Sequence, residues 1–341
     1  MGCGGAPVRI WLAALAAGAL LLTQASPLAA QPAHARARSR AATHRAAASG
    51  DLVKNIFWQP NELPQGSPAF FTVEFVRPAR RVTGTWIGKQ LSFFHIRHSQ
   101  IWYAFAGADL ETPPGSYDLA VSATLTNGRV ARVVKKIEVP AGTFGTGDVN
   151  VPENYVEPNA QVQQQIARDQ KLKDRAFAHL IPQPLWSGNF VAPVSAKPTP
   201  SFGESRLLNE ERTSTHRGTD YPAPEGTPVL AANSGTVVLA TSLYYEGNCV
   251  IVDHGLRFFT IYMHLKQIDV HEGDPVRKGE RLGLSGATGR VTGPHLHLGV
   301  RWNGANLDPV KLLALTLPTI PQVDASGHGR RRPVHRRTRR R

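Results

Sequence analysis

Short β-type runs, separated at close intervals by glycine, proline or an Asn-Gly pair, make up most of the sequence between residues 51 and 315. Runs of this kind are typical of antiparallel strands, and Asn127-Gly128 is a strong signal for a hairpin turn. The pattern therefore predicts a mainly β fold, with a small antiparallel sandwich over 51–140 and a second antiparallel β-sheet domain over 186–315.

The segment between the two β regions, 141–185, contains the only long helical pattern. Residues 159–181 are amphipathic, and Asn159 is a candidate N-cap. The apolar stripe of this pattern consists of Val162, Ile166, Phe177 and Leu180. We predict a linking helix that braces the two β domains.

The net charge of +14 is concentrated at the two ends of the 341-residue chain. A basic, low-complexity stretch at 31–50 predicts a flexible linker, and 316–341 ends in an arginine-rich tail, predicted to be disordered. Residues 51–329 hold 26 basic and 25 acidic side chains, and no aromatic residues interleave with the tail arginines, so nucleic-acid binding is not expected. The tail is either a solvated extension or a salt-sensitive attachment to anionic envelope polymers.

Residues 1–30 have the features of an export signal: Arg9, an apolar run over 10–22, and small residues near Ala30. The run is shorter than the roughly 20 residues of a membrane span, so no stable span is expected after signal removal. An uncleaved anchor is the alternative. The expected location is the periplasm or cell envelope, or secretion. Removal of the signal would leave one cysteine, Cys249, so an intramolecular disulfide is excluded. Cys249 is best explained as a small buried apolar residue.

The candidate chemistry lies in four histidine-bearing stretches of the second β domain. They are HRGTD (216–220), DHG (253–255), YMHL (262–265) and HLH (295–297). His254 is best explained as a hairpin turn residue and His271 as a solvated loop residue.

Zinc in catalytic sites takes three protein ligands and leaves one position for water. His216 and Asp220 can supply a nitrogen and an oxygen from one turn, with Gly218 permitting a tight backbone path. Either His295 or His297 can complete the set, and the other then projects into the cleft. The alternative is that the HLH pair lies on a wet sheet surface.

The order of these motifs resembles that of the lysostaphin/LytM-type zinc metalloendopeptidases, over essentially all of residues 186–315. The resemblance implies a LytM-type peptidase domain behind an N-terminal Ig-like β-sandwich, one Zn²⁺ per chain, and peptidoglycan as substrate. It implies three zinc ligands, His216, Asp220 and His297, and two catalytic histidines free of the metal, His264 and His295. Two departures from the family pattern are Cys249, where a larger residue is common, and the pair Arg290-Val291, which could alter the lining of the groove.

No HExxH motif is present, so the general base is His264 or His295, with the other stabilising the oxyanion. Taken alone, His264 could equally be a buried histidine bonded to a backbone carbonyl. The cleaved bond is D-alanyl to a diamino acid or a glycine-rich bridge, and the overall layout favours the former. Autoinhibition is a further hypothesis, in which a side chain such as that of Asn209 occupies the open metal position.

Two other functions compete with a peptidase. A non-catalytic LytM-like module would bind the cell wall or activate another hydrolase, but it need not keep the five site residues that this chain retains. A biotinyl or lipoyl carrier would need a lysine at a tight turn between hydrophobic flanks. Lys278 lacks that setting, so we discount a carrier.

Overall fold

The computed structural model describes residues 52–97 and 99–321. Strands dominate this part of the chain, and all their pairings but one are antiparallel, which confirms the mainly β fold class. The predicted signal (1–30), the basic linker (31–50) and most of the tail (316–341) lie outside the described residues.

The strands in chain order are β1 (Val53–Gln59), β2 (Pro68–Phe75), β3 (Ala79–Trp86), β4 (Lys89–Leu91), β5 (Phe94–His95), β6 (Ile101–Gly107), β7 (Gly115–Leu125), β8 (Val130–Val139), β9 (Thr146–Val149), β10 (Ser205–Leu208), β11 (Arg212–Thr215), β12 (Gly218–Tyr221), β13 (Pro228–Leu230), β14 (Gly235–Leu243), β15 (Gly247–Asp253), β16 (Phe258–Ile268), β17 (Pro275–Val276), β18 (Arg281–Ser285), β19 (Leu296–Trp302) and β20 (Ala305–Leu307). The helices are α1 (Ala160–Ala178), α2 (Pro309–Leu313) and a 3-10 turn (Glu153–Tyr155). None of the helices in the described part of the chain is long and apolar enough to span a membrane.

The N-terminal strands form two four-stranded antiparallel sheets, ordered β1-β2-β6-β5 and β4-β3-β7-β8. Alternate residues from Leu119 to Leu125 in β7 are buried, as expected for a strand that turns one face to a core. The turn after β7 follows the sequence signal: Gly128 has a φ of 81°, and Asn127 Oδ1 accepts the N–H of Arg129.

The predicted linker 141–185 contributes a strand. β9 pairs in parallel with β10, which pairs antiparallel with β11, so that a three-stranded sheet joins this segment to the residues just before the first histidine motif.

A nine-stranded sheet organises the C-terminal half, in the order β12-β19-β16-β15-β14-β17, with β13, β18 and β20 beside this path. Its central strand β15 is buried on both faces. Val250 and Val252 belong to the core shared with the sandwich, whereas Cys249 and Ile251 face α1 on the opposite side. This double burial explains why the run Cys249–Val252 is continuously apolar rather than alternating.

Helix α1 begins as the sequence predicts, because the Asn159 side chain accepts the N–H of Val162. It ends at Ala178, three residues short of the predicted end. The predicted apolar stripe is wrong at its C-terminal end, since Leu180 lies beyond the helix and is 50% exposed. Phe177 makes an apolar contact with the sheet, as predicted, and the other two contacts come from Leu172 and Ala176, which the predicted stripe omitted.

The connection between the two β regions does not depend on α1, whose apolar contacts are to the C-terminal sheet. Trp186 lies in the segment between α1 and β10, is fully buried, and packs edge-on against Phe70 and Phe94 of the N-terminal sheets. Phe105 of the sandwich packs against Phe258 of the sheet, with ring centroids 4.0 Å apart. The prediction that the helix braces the domains is therefore wrong. The aromatic contacts of Trp186 and of the Phe105–Phe258 pair join the two β regions instead.

Candidate metal centre

The three predicted metal ligands converge on one point at the edge of the C-terminal sheet. β12 and β19 pair antiparallel with Asp220 opposite His297, and His216 lies just before β12. His216 Nε2 is 2.9 Å from His297 Nδ1 and 3.1 Å from Asp220 Oδ1, and His297 Nδ1 is 3.0 Å from the same oxygen. Among the described residues, this is the cluster whose donor atoms could hold a metal ion.

The protonation pattern at His216 favours a cation at this point. His216 Nδ1 lies 2.8 Å from the carbonyl oxygen of Ser201, which can only accept, so Nδ1 carries the proton. In the neutral ring, Nε2 is then a lone pair that faces the Asp220 carboxylate. Atoms this close need a proton or a metal cation between them, and the carbonyl partner on the far nitrogen is the usual support of a metal-binding imidazole.

The separations also suit a small divalent ion. Three atoms about 3 Å apart surround a centre about 1.7 Å from each, within reach of the roughly 2.0–2.2 Å at which zinc binds imidazole nitrogen and carboxylate oxygen. The donor set of two imidazoles and one carboxylate is one that zinc uses in catalytic sites.

Local electrostatics hold these groups in metal-binding ionisation states. Burial raises the pKa of Asp220, but hydrogen bonds and charge from His216 and His297 outweigh it and leave the pKa well below its ordinary value. Burial lowers the pKa of His297 to about 4, in spite of the nearby carboxylate. Near neutral pH the site thus presents a charged carboxylate and a neutral imidazole.

Gly218 makes room for this cluster. A Cβ at that position would lie 2.3 Å from His297 Nε2 and 2.5 Å from the carbonyl oxygen of Leu298. The sequence argument singled out Gly218 for a tight backbone path, but its role in the structure is to admit the His297 ring.

Arg206 is a site residue that the sequence argument missed. Its Nη2 donates to Asp220 Oδ2 at 3.0 Å, and its Nε donates to Glu204 Oε2 at 2.6 Å. Asp220 therefore has one oxygen fixed by arginine and the other facing the two histidines. Nothing in the sequence marks Arg206, because it reaches Asp220 only through the position of β10 in the small three-stranded sheet.

His264 stands beside the cluster in an uncommon backbone conformation, with a φ of 64°. Its N–H donates to the Glu246 carbonyl oxygen, and its Nδ1 is 2.9 Å from the Thr288 carbonyl oxygen. Burial lowers its pKa to about 3. The ring is thus buried on a backbone carbonyl, which is one of the two sequence predictions for His264, and its centroid lies 6.0 Å from that of His297.

His295 is the more accessible of the two further histidines, with 21% of its side chain exposed. Its Nδ1 is 2.8 Å from the Gly293 carbonyl oxygen, and its Nε2 is 3.7 Å from Asp220 Oδ1. The His264 and His295 rings are 4.9 Å apart. Because both Nδ1 atoms face carbonyls, both rings keep Nε2 as a lone pair, which suits proton transfer.

A groove of about 550 Å³ runs over these five residues. Its apolar lining includes Cys249, which is fully buried as predicted. Arg290 and Val291 line it too, as predicted, and the Arg290 guanidinium lies over the Tyr245 ring. Part of the lining comes from α1, namely Gln170, Lys173 and Phe177.

Three other candidates lie away from this chemistry. Asn209 bonds to both backbone polar groups of Val151, so the hypothesis that it occupies the open metal position is wrong. His254 lies in the β15–β16 connection, as predicted for a turn residue, and is fully buried. His271 has 91% of its side chain exposed, which confirms it as a solvated loop residue.

The residues around the candidate metal centre match a known peptidase family. The sequence model of peptidase family M23 matches residues 214–309, a range that contains all five predicted site residues. This region is an M23 peptidase domain. The resemblance to lysostaphin/LytM-type peptidases is thereby confirmed.

Two similar proteins carry names that state a peptidase activity. The peptidoglycan DD-endopeptidase ShyA of Vibrio cholerae is 42% identical over 113 residues, which is 33% of this chain and 26% of ShyA. The DD-carboxypeptidase/endopeptidase Mpg of Neisseria meningitidis is 43% identical over 109 residues, which is 32% of this chain and 25% of Mpg. These alignments thus span about a quarter of each relative.

The fold likeness extends beyond the M23 domain. A crystal structure from Pseudomonas aeruginosa, assigned to peptidase M23, matches with a TM-score of 0.56 and 26% identity. The match covers 74% of this chain and 95% of that one, so it includes elements on the N-terminal side of the M23 domain.

Proposed function

We propose that this protein is an exported zinc metalloendopeptidase that hydrolyses peptide cross-links of bacterial peptidoglycan. The observation that carries the proposal is the convergence of three side-chain atoms able to bind a metal on one point, in a groove, with two further imidazoles beside it. ShyA, named as a peptidoglycan DD-endopeptidase, supports the substrate class, and Mpg, named as a DD-carboxypeptidase/endopeptidase, agrees with a D-alanyl to diamino acid bond.

In this proposal His216, Asp220 and His297 hold the metal. Zinc, when bound, supplies Lewis acidity that lowers the pKa of water and polarises a carbonyl group. Arg206 keeps the Asp220 carboxylate oriented through the oxygen that faces away from the cluster. The cluster lies at one side of the groove, so a peptide lying in the groove passes over it.

His264 and His295 are the proposed catalytic pair. Each anchors Nδ1 on a backbone carbonyl and presents Nε2 towards the groove. A ring whose Nε2 is a lone pair can accept the proton of the attacking water, whereas the ring that stabilises the oxyanion must carry a proton on Nε2 to donate to it. Since burial lowers the pKa of His264 to about 3, this ring is neutral near pH 7, as a proton acceptor must be.

The test uses purified sacculi and the mature protein. His264→Ala and His295→Ala should abolish the release of muropeptides while bound zinc stays near one per chain. Asp220→Ala and His297→Ala should lose the metal as well. Sacculus binding without muropeptide release by the wild-type protein would instead favour a non-catalytic, wall-binding module, and mass spectrometry of the released fragments identifies the cleaved bond.

The proposed location, periplasm or cell envelope, follows from the substrate and from the N-terminal signal pattern. We also propose that the arginine-rich tail attaches the enzyme to anionic envelope polymers. Binding to sacculi should then weaken as salt rises, and a chain truncated after residue 321 should lose that salt dependence while still hydrolysing soluble fragments.

A further inference from the structure

Residues 244–247, the turn between β14 and β15 together with the first residue of β15, contribute Tyr245 and Glu246 to the lining of the groove, and α1 contacts this segment. Asp169 Oδ2 accepts the N–H of Tyr244 at 2.7 Å. One helical turn on, Lys173 Nζ pairs with Glu246 Oε1 at 2.5 Å. Both bonds come from α1 and end on the same four-residue turn.

These polar contacts are sheltered from water. Asp169 is 8% exposed, and the Lys173 and Glu246 side chains are 20% and 12% exposed. The loss of one partner of a pair so screened from solvent leaves the other charge buried and uncompensated, which costs more than the loss of a surface ion pair. By contrast Arg175, on the same helix, pairs with Glu272 where both side chains are more than half exposed.

The same turn supports the backbone of His264. The carbonyl oxygen of Glu246 accepts the N–H of His264 at 2.9 Å. His264 has a φ of 64°, a conformation that is unfavourable for a side chain of this size and persists only where its surroundings enforce it. The hydrogen bond that the His264 N–H donates to the Glu246 carbonyl oxygen is one of those enforcing contacts.

The ring of His264 is tied to the turn by a second route. Its Nδ1 donates to the carbonyl oxygen of Thr288, whose Oγ1 accepts the N–H of Asn248, next to the turn. Gly247 lies so close to Thr288 that a Cβ would be 2.3 Å from its carbonyl oxygen. A shift of the turn would therefore move both the backbone and the ring of His264.

We propose that Asp169 and Lys173 of α1 are positioning residues, which hold the 244–247 turn and, through it, set the place of His264. Helix α1 lies outside the 214–309 family match, so the working catalytic unit of this protein would be larger than its M23 domain. The inference rests on the proposed function only in assigning His264 to catalysis. The competing explanation is that α1 merely covers the apolar side of the sheet.

Hydrogen exchange tests the positioning directly, without reference to activity. In the mature protein, Lys173→Met should speed amide exchange in peptides covering 244–248 and 263–265 by about tenfold, because a sheltered charged hydrogen bond is lost. Arg175→Met is the matched control and should leave those peptides unchanged. Lys173→Arg keeps the charge and should restore most of the protection.

Kinetics test the link to catalysis. On a soluble peptidoglycan fragment, Lys173→Met should lower kcat by about tenfold with little change in KM, since the substrate still binds while the catalytic ring is misplaced. Bound zinc should stay near one per chain. Asp169→Leu should act in the same direction and Asp169→Asn more weakly, because an amide oxygen can still accept the Tyr244 N–H.

Two outcomes would overturn the proposal. One is exchange in Lys173→Met that matches Arg175→Met at 244–248 and 263–265. The other is an unchanged kcat in Lys173→Met when the wild-type enzyme is active. If the wild-type protein proved inactive on peptidoglycan, the proposed function would fail, while the exchange result would still decide whether α1 positions His264.

Discussion

His216 and His254 are two buried histidines in the C-terminal half, and they have the same kind of partner at Nδ1 but different partners at Nε2. Each has Nδ1 2.8 Å from a serine carbonyl oxygen, that of Ser201 or Ser234. At His254 the other nitrogen is 2.7 Å from the hydroxyl of Thr260, which can donate to it.

At His216 the other nitrogen faces the Asp220 carboxylate and His297 Nδ1 instead. The Thr260 hydroxyl satisfies the second nitrogen of His254. At His216 the second nitrogen faces a carboxylate and another imidazole, and a cation bound between them would satisfy all three. A buried histidine is therefore classified by what faces its second nitrogen, more than by its burial or by the neighbouring residues in sequence.

The largest expected difference between the two histidine sites is the response to zinc. At a free zinc concentration about 1,000 times Kd, the wild-type free energy of unfolding should rise by about 4 kcal/mol relative to the chelator-treated protein. Urea unfolding at both conditions measures it. Asp220→Ala should show no rise, whereas His254→Gln should keep it in full, and the reverse pattern would contradict the comparison.

Removal of the satisfied imidazole should destabilise the fold without affecting the metal. His254→Leu leaves the Ser234 carbonyl without its donor and removes one of the two hydrogen bonds of the Thr260 hydroxyl, which keeps its contact with Tyr262. The free energy of unfolding should fall by about 3 kcal/mol. Chemical denaturation gives the loss, and elemental analysis should find zinc unchanged. Loss of zinc in this variant would mean that the two sites are coupled.

The His254 network also predicts how stability depends on pH. Burial lowers the pKa of His254 to about 4, below the value near 6.5 of the unfolded chain, so the unfolded state binds the extra proton between these values. Its contribution is therefore full above pH 6.5 and is lost as the pH falls, by about 2 kcal/mol at pH 5. The free energy of unfolding of the wild type and of His254→Gln, measured as a function of pH, isolates the contribution of His254. Parallel curves would show that His254 does not cause the loss of stability at low pH.

The smallest expected effect is the loss of zinc affinity when the space beside the His297 ring is filled. Gly218→Ala puts a methyl group 2.3 Å from His297 Nε2, so the ring must move, and zinc affinity should fall by about tenfold or more. Competition with a fluorescent chelator measures the affinity. Gly293→Ala is the steric control, because a Cβ there meets nothing within 4 Å, and equal losses in both variants would show that the space at Gly218 is not the cause.

Sequence reasoning reached the five site residues because their motifs have characteristic spacing and follow one another in a family order. It also placed the Asn127-Gly128 turn and the Asn159 cap, which depend on neighbouring residues alone. It failed at Leu180 and at the role of α1, because an amphipathic pattern shows which face is apolar but not which surface that face meets.

The strand and turn signals predicted the antiparallel β fold, and the histidine motifs predicted which residues meet at the candidate metal centre and the family of the region 214–309. The contacts of Asp220 with Arg206, of His264 with Glu246 and Thr288, and of α1 with the groove became visible in the folded chain alone. Most of these supporting contacts are to backbone carbonyls or come from other strands and helices. Every residue carries a carbonyl, so no residue type marks in advance which one a buried imidazole will find.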